Sequence, residues 1–216
     1  MKTLIITGGN IERDFALFFI KKLEPEYVIG VDKGLQFCYE NHICPDYIVG
    51  DFDSLPAYIL EWYKEKSTIP IRSYNPIKDA TDTMIGLEKA MDMGSKEIWI
   101  LGATGTRLDH VFCNLQILKN AWMRKIPAYI VDQYNKITIP VDKEFVIKKC
   151  EQYGDYISFF PLESTVEKLC LKGFKYPLEN YLLKNQEGLG VSNEITSNVA
   201  KVSYEDGILV MMQSKD

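Results

Sequence analysis

Ile98-Trp99-Ile100-Leu101-Gly102-Ala103-Thr104-Gly105-Thr106-Arg107 joins a short apolar run to a helical pattern, in which Leu108, Val111, Leu115, Leu118 and Trp122 trace an apolar stripe. An apolar run ended by glycine reads as a buried strand, and apolar residues three and four apart read as a helix packed upon it. The same unit recurs upstream. Leu4–Thr7, Tyr27–Val31, Tyr47–Val49 and Thr68–Ser73 read as strands, and helical patterns follow at Asp14–Leu23, Leu35–Asn41, Ala57–Lys66 and from about Thr81 to Met93. Such alternation predicts a Rossmann-like, mostly parallel sheet covered by helices. Ligands on such sheets gather beyond the carboxyl ends of the strands.

Beyond Pro127 the rhythm changes. Ala128–Asp132, Lys136–Pro140, Phe145–Lys149, Tyr156–Pro161, Val166–Leu171, Ala200–Tyr204 and Gly207–Met212 read as strands separated by turns, and Leu178–Lys184 as a short helical stretch. Strands at this density suggest a small β-sandwich or barrel. The expectation is an α/β domain over residues 1–126 and an all-β domain over 127–216.

Bulk properties narrow the function classes. The 216 residues carry 25 Lys and Arg against 30 Asp and Glu, a formal net charge of −5, with no long basic run. A nucleic-acid groove and an anionic membrane surface are disfavoured as partners. Five cysteines, none in a C-x-x-C pair, argue against a zinc ribbon or a disulfide framework and suit a reducing compartment. The apolar run at the start is too short for a membrane span or signal peptide, so a cytoplasmic location is expected.

The residues with chemistry fall on the loops after the strands. Gly8-Gly9-Asn10 follows the first and Asp32-Lys33-Gly34 the second, and Gly50-Asp51-Phe52-Asp53-Ser54 follows the third. Lys78-Asp79-Ala80-Thr81-Asp82 precedes a helix, and Gly102–Asp109 joins the fifth strand to its helix. Two carboxylates ~5 Å apart at an effective dielectric of ~20 cost roughly 3 kcal/mol. A folded chain keeps such groups if a cation sits among them or water screens them. Hard oxygen ligands suit Mg²⁺, which usually keeps several waters and a substrate phosphate. In extended backbone Asp51 and Asp53 would point to one side, ready for joint coordination; an Asp-rich turn with local backbone hydrogen bonds is the structural alternative. Asp79 and Asp82 share one face of a first helical turn, where Asp79 or Thr81 also suits a helix cap. The Gly102–Arg107 loop offers backbone N–H groups and a bidentate guanidinium to phosphate. No G-x-x-x-x-G-K-[ST] occurs in the chain, so any nucleotide is held without a P-loop. His110 and Asn114 share a helix face, with a structural hydrogen-bonding role as plausible as a chemical one. Ser192-Asn193-Glu194 carries donors and acceptors suited to a polar heterocycle, although from chemistry alone an ordinary turn is the better explanation.

Taken in order, Gly8-Gly9, Val31-Asp32-Lys33-Gly34, Pro45-Asp46 with Gly50–Ser54, Lys78–Asp82, Gly102–Asn114 and Ser192-Asn193-Glu194 resemble the thiamine pyrophosphokinase family over nearly the whole chain. The resemblance implies an α/β catalytic domain followed by a β-sandwich, and transfer of pyrophosphate from ATP to the thiamine hydroxyl, giving thiamine diphosphate and AMP. By motif position, Asp32, Asp51, Asp53, Asp79 and Asp82 would hold Mg²⁺. Arg107 would offset transition-state charge, with Lys33, Lys78, Gly102, Thr106 and Asp109 on the ATP side. Ser192 and Asn193 would contact thiamine; no aromatic immediately precedes Ser192 to stack on it, which leaves Tyr176, Tyr181 and a partner's aromatic as open alternatives. A homodimer with active sites shared between subunits is implied. Lys33 and Thr106 stand where the family usually has glycine. The alternatives are a phosphotransferase acting on another alcohol, and a catalytically inactive thiamine- or nucleotide-binding sensor.

Overall fold

The computed structural model describes residues 1–73 and 80–216 and divides into two compact units, Met1–Gln133 and Tyr134–Asp216. In the first, β1 (Lys2–Ile6), β2 (Tyr27–Val31), β3 (Tyr47–Gly50), β4 (Ile71–Ser73), β5 (Glu97–Leu101) and β6 (Ala128–Val131) lie in the order β4-β3-β2-β1-β5-β6. Every pairing among them is parallel. The helices are α1 (Arg13–Leu23), α2 (Gly34–Glu40), α3 (Ala57–Lys66), α4 (Asp82–Asp92) and α5 (Leu108–Met123). Thr3–Ile6, Val28–Val31 and the whole of β3 are buried without alternation, the signature of strands covered on both faces. The order reverses at β1, whose neighbours are β2 on one side and β5 on the other. The chain thus crosses from β1 toward β2 on one side and from β5 toward β6 on the other, the topological switch at which ligands gather on the carboxyl rim.

The α/β unit extends to Gln133, beyond the expected residue 126, because Ala128–Val131 pairs in parallel with β5 instead of joining the later strands. The buried stripe of α5 also differs from expectation. Asn114, Ile117, Leu118 and Ala121 face inward, whereas Leu108 is 76% exposed. A polar residue, Asn114, occupies the inward face, so hydropathy alone set the helical phase wrongly.

The second unit is entirely antiparallel: β7 (Asn135–Thr138), β8 (Glu144–Lys148), β9 (Tyr156–Lys172), β10 (Leu178–Lys184), β11 (Val199–Ser203) and β12 (Asp206–Ser214), ordered β7-β12-β9-β11-β8 with β10 also on β9. Two expected strands are one, since β9 runs from Tyr156 to Lys172, with a register shift opposite Gly207–Leu209. Leu178–Lys184 is a strand, not a helix. Register shifts on either side of Tyr181 break the simple alternation, so that Leu183 is buried and Leu178 and Tyr181 pack on the core while Leu182 faces out. Leu178, Tyr181 and Leu182, three and four apart, imitate a helical stripe for that reason.

Candidate active site

Backbone contacts pin the loops after β1 and β5 together. Gly9 N–H donates to Gly102 O at 2.8 Å and Asn10 N–H to Thr104 O at 2.8 Å. A Cβ on Gly9 would lie 2.2 Å from Gly102 O, and one on Gly102, at φ +74°, would lie 2.2 Å from Thr7 O. Glycine at these two positions is what allows the loops to touch. They bound a cavity of about 650 Å³ in the first unit, which Asp32, Lys33, Asp51, Asp53, Asp82 and Arg107 also line.

Three carboxylates converge in it. Asp32, Asp51 and Asp53 each present an oxygen, and these oxygens lie within 4.8 Å of one another. Asp32 follows β2 in the left-handed region at φ +48°, its N–H on Val49 O at 2.9 Å. Gly50 packs against it: a Cβ there would stand 3.0 Å from Asp32 Cα. The Asp51–Asp53 segment is a turn and not extended, because Phe52 sits at φ +62° with its ring buried. Asp53 N–H donates to Asp51 Oδ1 at 3.2 Å. The local hydrogen bond of an Asp-rich turn and the convergence of carboxylates are both present.

Asp32 Oδ2 accepts from Ser54 Oγ at 3.1 Å, whereas Oδ1 is buried with no hydrogen-bond partner among the described residues. Burial pushes the Asp32 carboxyl above the usual carboxylate range; the Ser54 hydroxyl and the Lys33 backbone N–H oppose this, and the charges of Asp82 and Asp51 add to it. A buried, unpartnered carboxylate oxygen beside two more carboxylates is costly unless a cation meets it. The donor set, all hard oxygen, fits Mg²⁺.

Asp82 opens α4 and lines the same cavity, while the Thr81 hydroxyl caps the helix by accepting Met84 N–H at 3.3 Å. Lys78 and Asp79 lie outside the described residues. Arg107 precedes α5 and is held by Asp109 through Nε to Oδ1 at 3.2 Å and Nη2 to Oδ2 at 2.6 Å. Both side chains are largely exposed. The guanidinium, helped by the His110 N–H, holds the Asp109 carboxyl down at about 2. Lys33 and Thr106 line the cavity with Gly102.

Sequence reasoning left out several supports. Thr7 Oγ1 and Thr83 Oγ1 share a buried hydrogen bond of 2.9 Å between the β1 loop and α4. Ser54 orients Asp32. Asn114, left open by the spacing, is buried and donates from Nδ2 to Ala103 O at 2.8 Å, tying α5 to the glycine loop. The structural hydrogen-bonding role that its spacing from His110 allowed is the one Asn114 takes.

Ser192 and Asn193 lie in the second unit. Ser192 is exposed at φ +54°, its N–H donating to Ser158 Oγ at 3.0 Å. Asn193 is 2% exposed. Its Oδ1 accepts from Tyr176 N–H and Glu194 N–H, both at 3.0 Å, and its Nδ2 donates to Tyr176 O at 2.8 Å. The expected substrate contact through this amide thus meets a side chain already committed to backbone. Among the candidate aromatics, Tyr181 gives its hydroxyl to Glu187 at 2.9 Å, while Tyr176 is 55% exposed.

A parallel α/β sheet bearing clustered carboxylates and a glycine-rich strand-to-helix loop on one cavity, in a chain without a P-loop sequence, is a phosphotransferase class of site outside the Walker type. Comparison with known proteins names the family within that class. The thiamin pyrophosphokinase catalytic domain matches residues 22–130, and the thiamin pyrophosphokinase vitamin B1 binding domain matches residues 139–209. The chain belongs to the thiamin pyrophosphokinase family. It is 35% identical to the thiamine pyrophosphokinase of Bacillus subtilis over 100% of both chains. The crystal structure of a thiamine pyrophosphokinase from Bacillus subtilis superposes with a TM-score of 0.89 at 31% identity, covering 100% of both chains. That of a thiamin pyrophosphokinase from Geobacillus thermodenitrificans gives 0.85 at 31% identity, covering 100% of this chain and 98% of the other.

Proposed function

We propose that this protein transfers the pyrophosphoryl group of ATP to thiamine. The hydroxyethyl oxygen attacks the β-phosphorus, the bond from that phosphorus to the α–β bridging oxygen breaks, the hydroxyl proton is lost, and thiamine diphosphate and AMP leave. The observation that carries the reading is the Asp32, Asp51 and Asp53 cluster with its buried, unpartnered Asp32 Oδ1, set in a chain related to thiamine pyrophosphokinases along its whole length. Asp32, Asp51, Asp53, Asp79 and Asp82 would hold Mg²⁺, which when bound neutralises charge on the triphosphate.

The remaining work falls to this chain's own groups, and for phosphoryl chemistry that work is mostly positioning and electrostatics. Arg107 faces the transferring phosphate, oriented by its two bonds to Asp109. Lys33 and Lys78 add positive charge, and Gly102 and Thr106 bring loop backbone to the nucleotide. In this reading the first unit is the ATP domain, and the second is a small β-sandwich that binds thiamine through Ser192 and the Asn193 segment. Tyr176, exposed and with a fixed backbone, supplies the aromatic face.

A homodimer with shared active sites accords with Leu108 and Phe112, which are 76% and 63% exposed on the first turns of α5 beside Arg107. A cytoplasmic location accords with five free cysteines. Among the described residues no helix is long and apolar enough to cross a membrane.

The test is incubation with ATP, Mg²⁺ and a panel of alcohols that includes thiamine, with AMP and ADP followed separately. AMP produced with thiamine is the expected result. ADP as the nucleotide product would refute pyrophosphoryl transfer, AMP with a different alcohol only would identify another phosphotransferase, and no AMP with any acceptor would favour an inactive binding protein.

A further inference from the structure

Asn193 is a double rung. Its backbone exchanges two hydrogen bonds with Ile157, Ile157 N–H to Asn193 O at 2.7 Å and Asn193 N–H to Ile157 O at 3.0 Å. Its side chain exchanges two with the main chain of Tyr176, at 3.0 and 2.8 Å. The carboxamide, with one acceptor and one donor facing Tyr176, mimics a peptide group and continues the ladder sideways through a side chain. The neighbouring bonds run the same way: Lys175 N–H donates to Glu194 O at 2.8 Å, and Phe174 bridges Ile195. Pro177 follows Tyr176, has no N–H and restricts the residue before it to extended backbone. Tyr176 is therefore fixed by Pro177 on one side and by the Asn193 amide on both its polar backbone groups, while its ring remains 55% exposed.

We infer that Asn193 is a positioning residue for thiamine that touches no substrate and acts through the main chain of Tyr176. This rests on the activity proposed above. Burial of Asn193 to 2% exposure leaves little of it for a ligand to reach. Two of the three bonds of its amide go to the main chain of Tyr176, a residue whose ring does reach solvent, and the third comes from Glu194 N–H.

The carboxylate of Asn193→Asp keeps an acceptor for the Tyr176 and Glu194 N–H groups, but loses the donor and turns a repelling oxygen toward Tyr176 O. The expected result is a thiamine KM raised about tenfold, the scale of one lost hydrogen bond. The KM for ATP and kcat should stay close to wild type, while the melting temperature falls by a few degrees because a buried donor is replaced by a charge. Tyr176→Ala should raise the thiamine KM as well, and the double variant should be no worse than the poorer single one, since both act through one contact. Asn193→Ala, which removes all three bonds, is followed by melting as well as kinetics, so that unfolding is recognised as such.

Equal rises in both KM values, an unchanged thiamine KM in Asn193→Asp, or multiplicative effects in the double variant would each overturn the inference. Calorimetric titration of thiamine keeps it separate from the activity reading. If wild type binds thiamine without turning it over, the activity fails while the inference is decided by the dissociation constants of the same variants. If wild type binds no thiamine, both fail.

Discussion

Replacing Asp32 by Asn should stabilise the metal-free protein while it weakens metal binding. The oxygens of Asp32, Asp51 and Asp53 stand within 4.8 Å of each other. At that separation a pair of charges costs roughly 3 kcal/mol at an effective dielectric of ~20. Asp51 is half-buried and Asp53 exposed, so solvent screening reduces the usable figure to on the order of 1–2 kcal/mol. Asparagine tolerates the left-handed backbone at φ +48° and keeps an acceptor for the Ser54 hydroxyl. Its new N–H₂ replaces the unpartnered Oδ1 next to Asp51. For a chain of this length a gain of that size raises the melting temperature of the first unit by about 3–6 °C in chelator. Mg²⁺ at a hundredfold excess over its dissociation constant should lift wild type by about 2.7 kcal/mol, so the order of stability reverses when metal is added.

The sign with pH follows from the raised Asp32 carboxyl. A native pKa above the unfolded one means that the folded state binds the proton more tightly, and that stabilisation is lost as pH rises through the native pKa. The metal-free gap between Asp32→Asn and wild type should therefore close as pH falls through it. Differential scanning calorimetry in chelator and in Mg²⁺ measures all of this. An Asp32→Asn protein that melts at or below wild type in chelator near neutral pH would refute the reasoning.

Asp109→Asn should raise the KM for ATP several-fold by releasing Arg107, with a melting temperature close to wild type because the pair is exposed. Its pH–rate profile should parallel that of wild type from about pH 5 to 9, since a carboxyl held at about 2 stays ionised throughout that range. Gly9→Ala should destabilise the first unit by about 1–3 kcal/mol and impair ATP binding, because its Cβ would meet Gly102 O and Thr104 O at 2.2 and 2.3 Å. Gly188→Ala, with nothing within 4 Å of the added carbon, is the matched control and should melt like wild type. Asn114→Ala should cost about 1–3 kcal/mol in chemical denaturation by stripping a buried partner from Ala103 O.

The strands and rim loops of the α/β unit were legible because each is a short apolar run ended by a glycine- or aspartate-bearing turn, a local signal. Errors arose where tertiary context set the outcome. β10 was read as a helix because bulges change its side-chain period. The face of α5 was misplaced because Asn114 points inward to a carbonyl of a distant loop. The Asp51–Asp53 segment was read as extended, although the burial of Phe52 bends it at φ +62°. The bonding of the Asn193 amide was illegible for the same reason, since its partner Tyr176 lies many residues away.

From the chain of residues alone follow the class of fold, the rim on which the chemistry sits, the lack of a P-loop and the acidic character of the site, since these depend on residue type and short-range period. Only folding decides that Asp32, from one strand, meets Asp51 and Asp53, from the next, within 4.8 Å. It also decides that one oxygen of Asp32 is left buried without a partner among the described residues. Parallel pairing of β2 with β3 brings those loops side by side, and no local pattern encodes a distance between residues that the sheet alone makes neighbours.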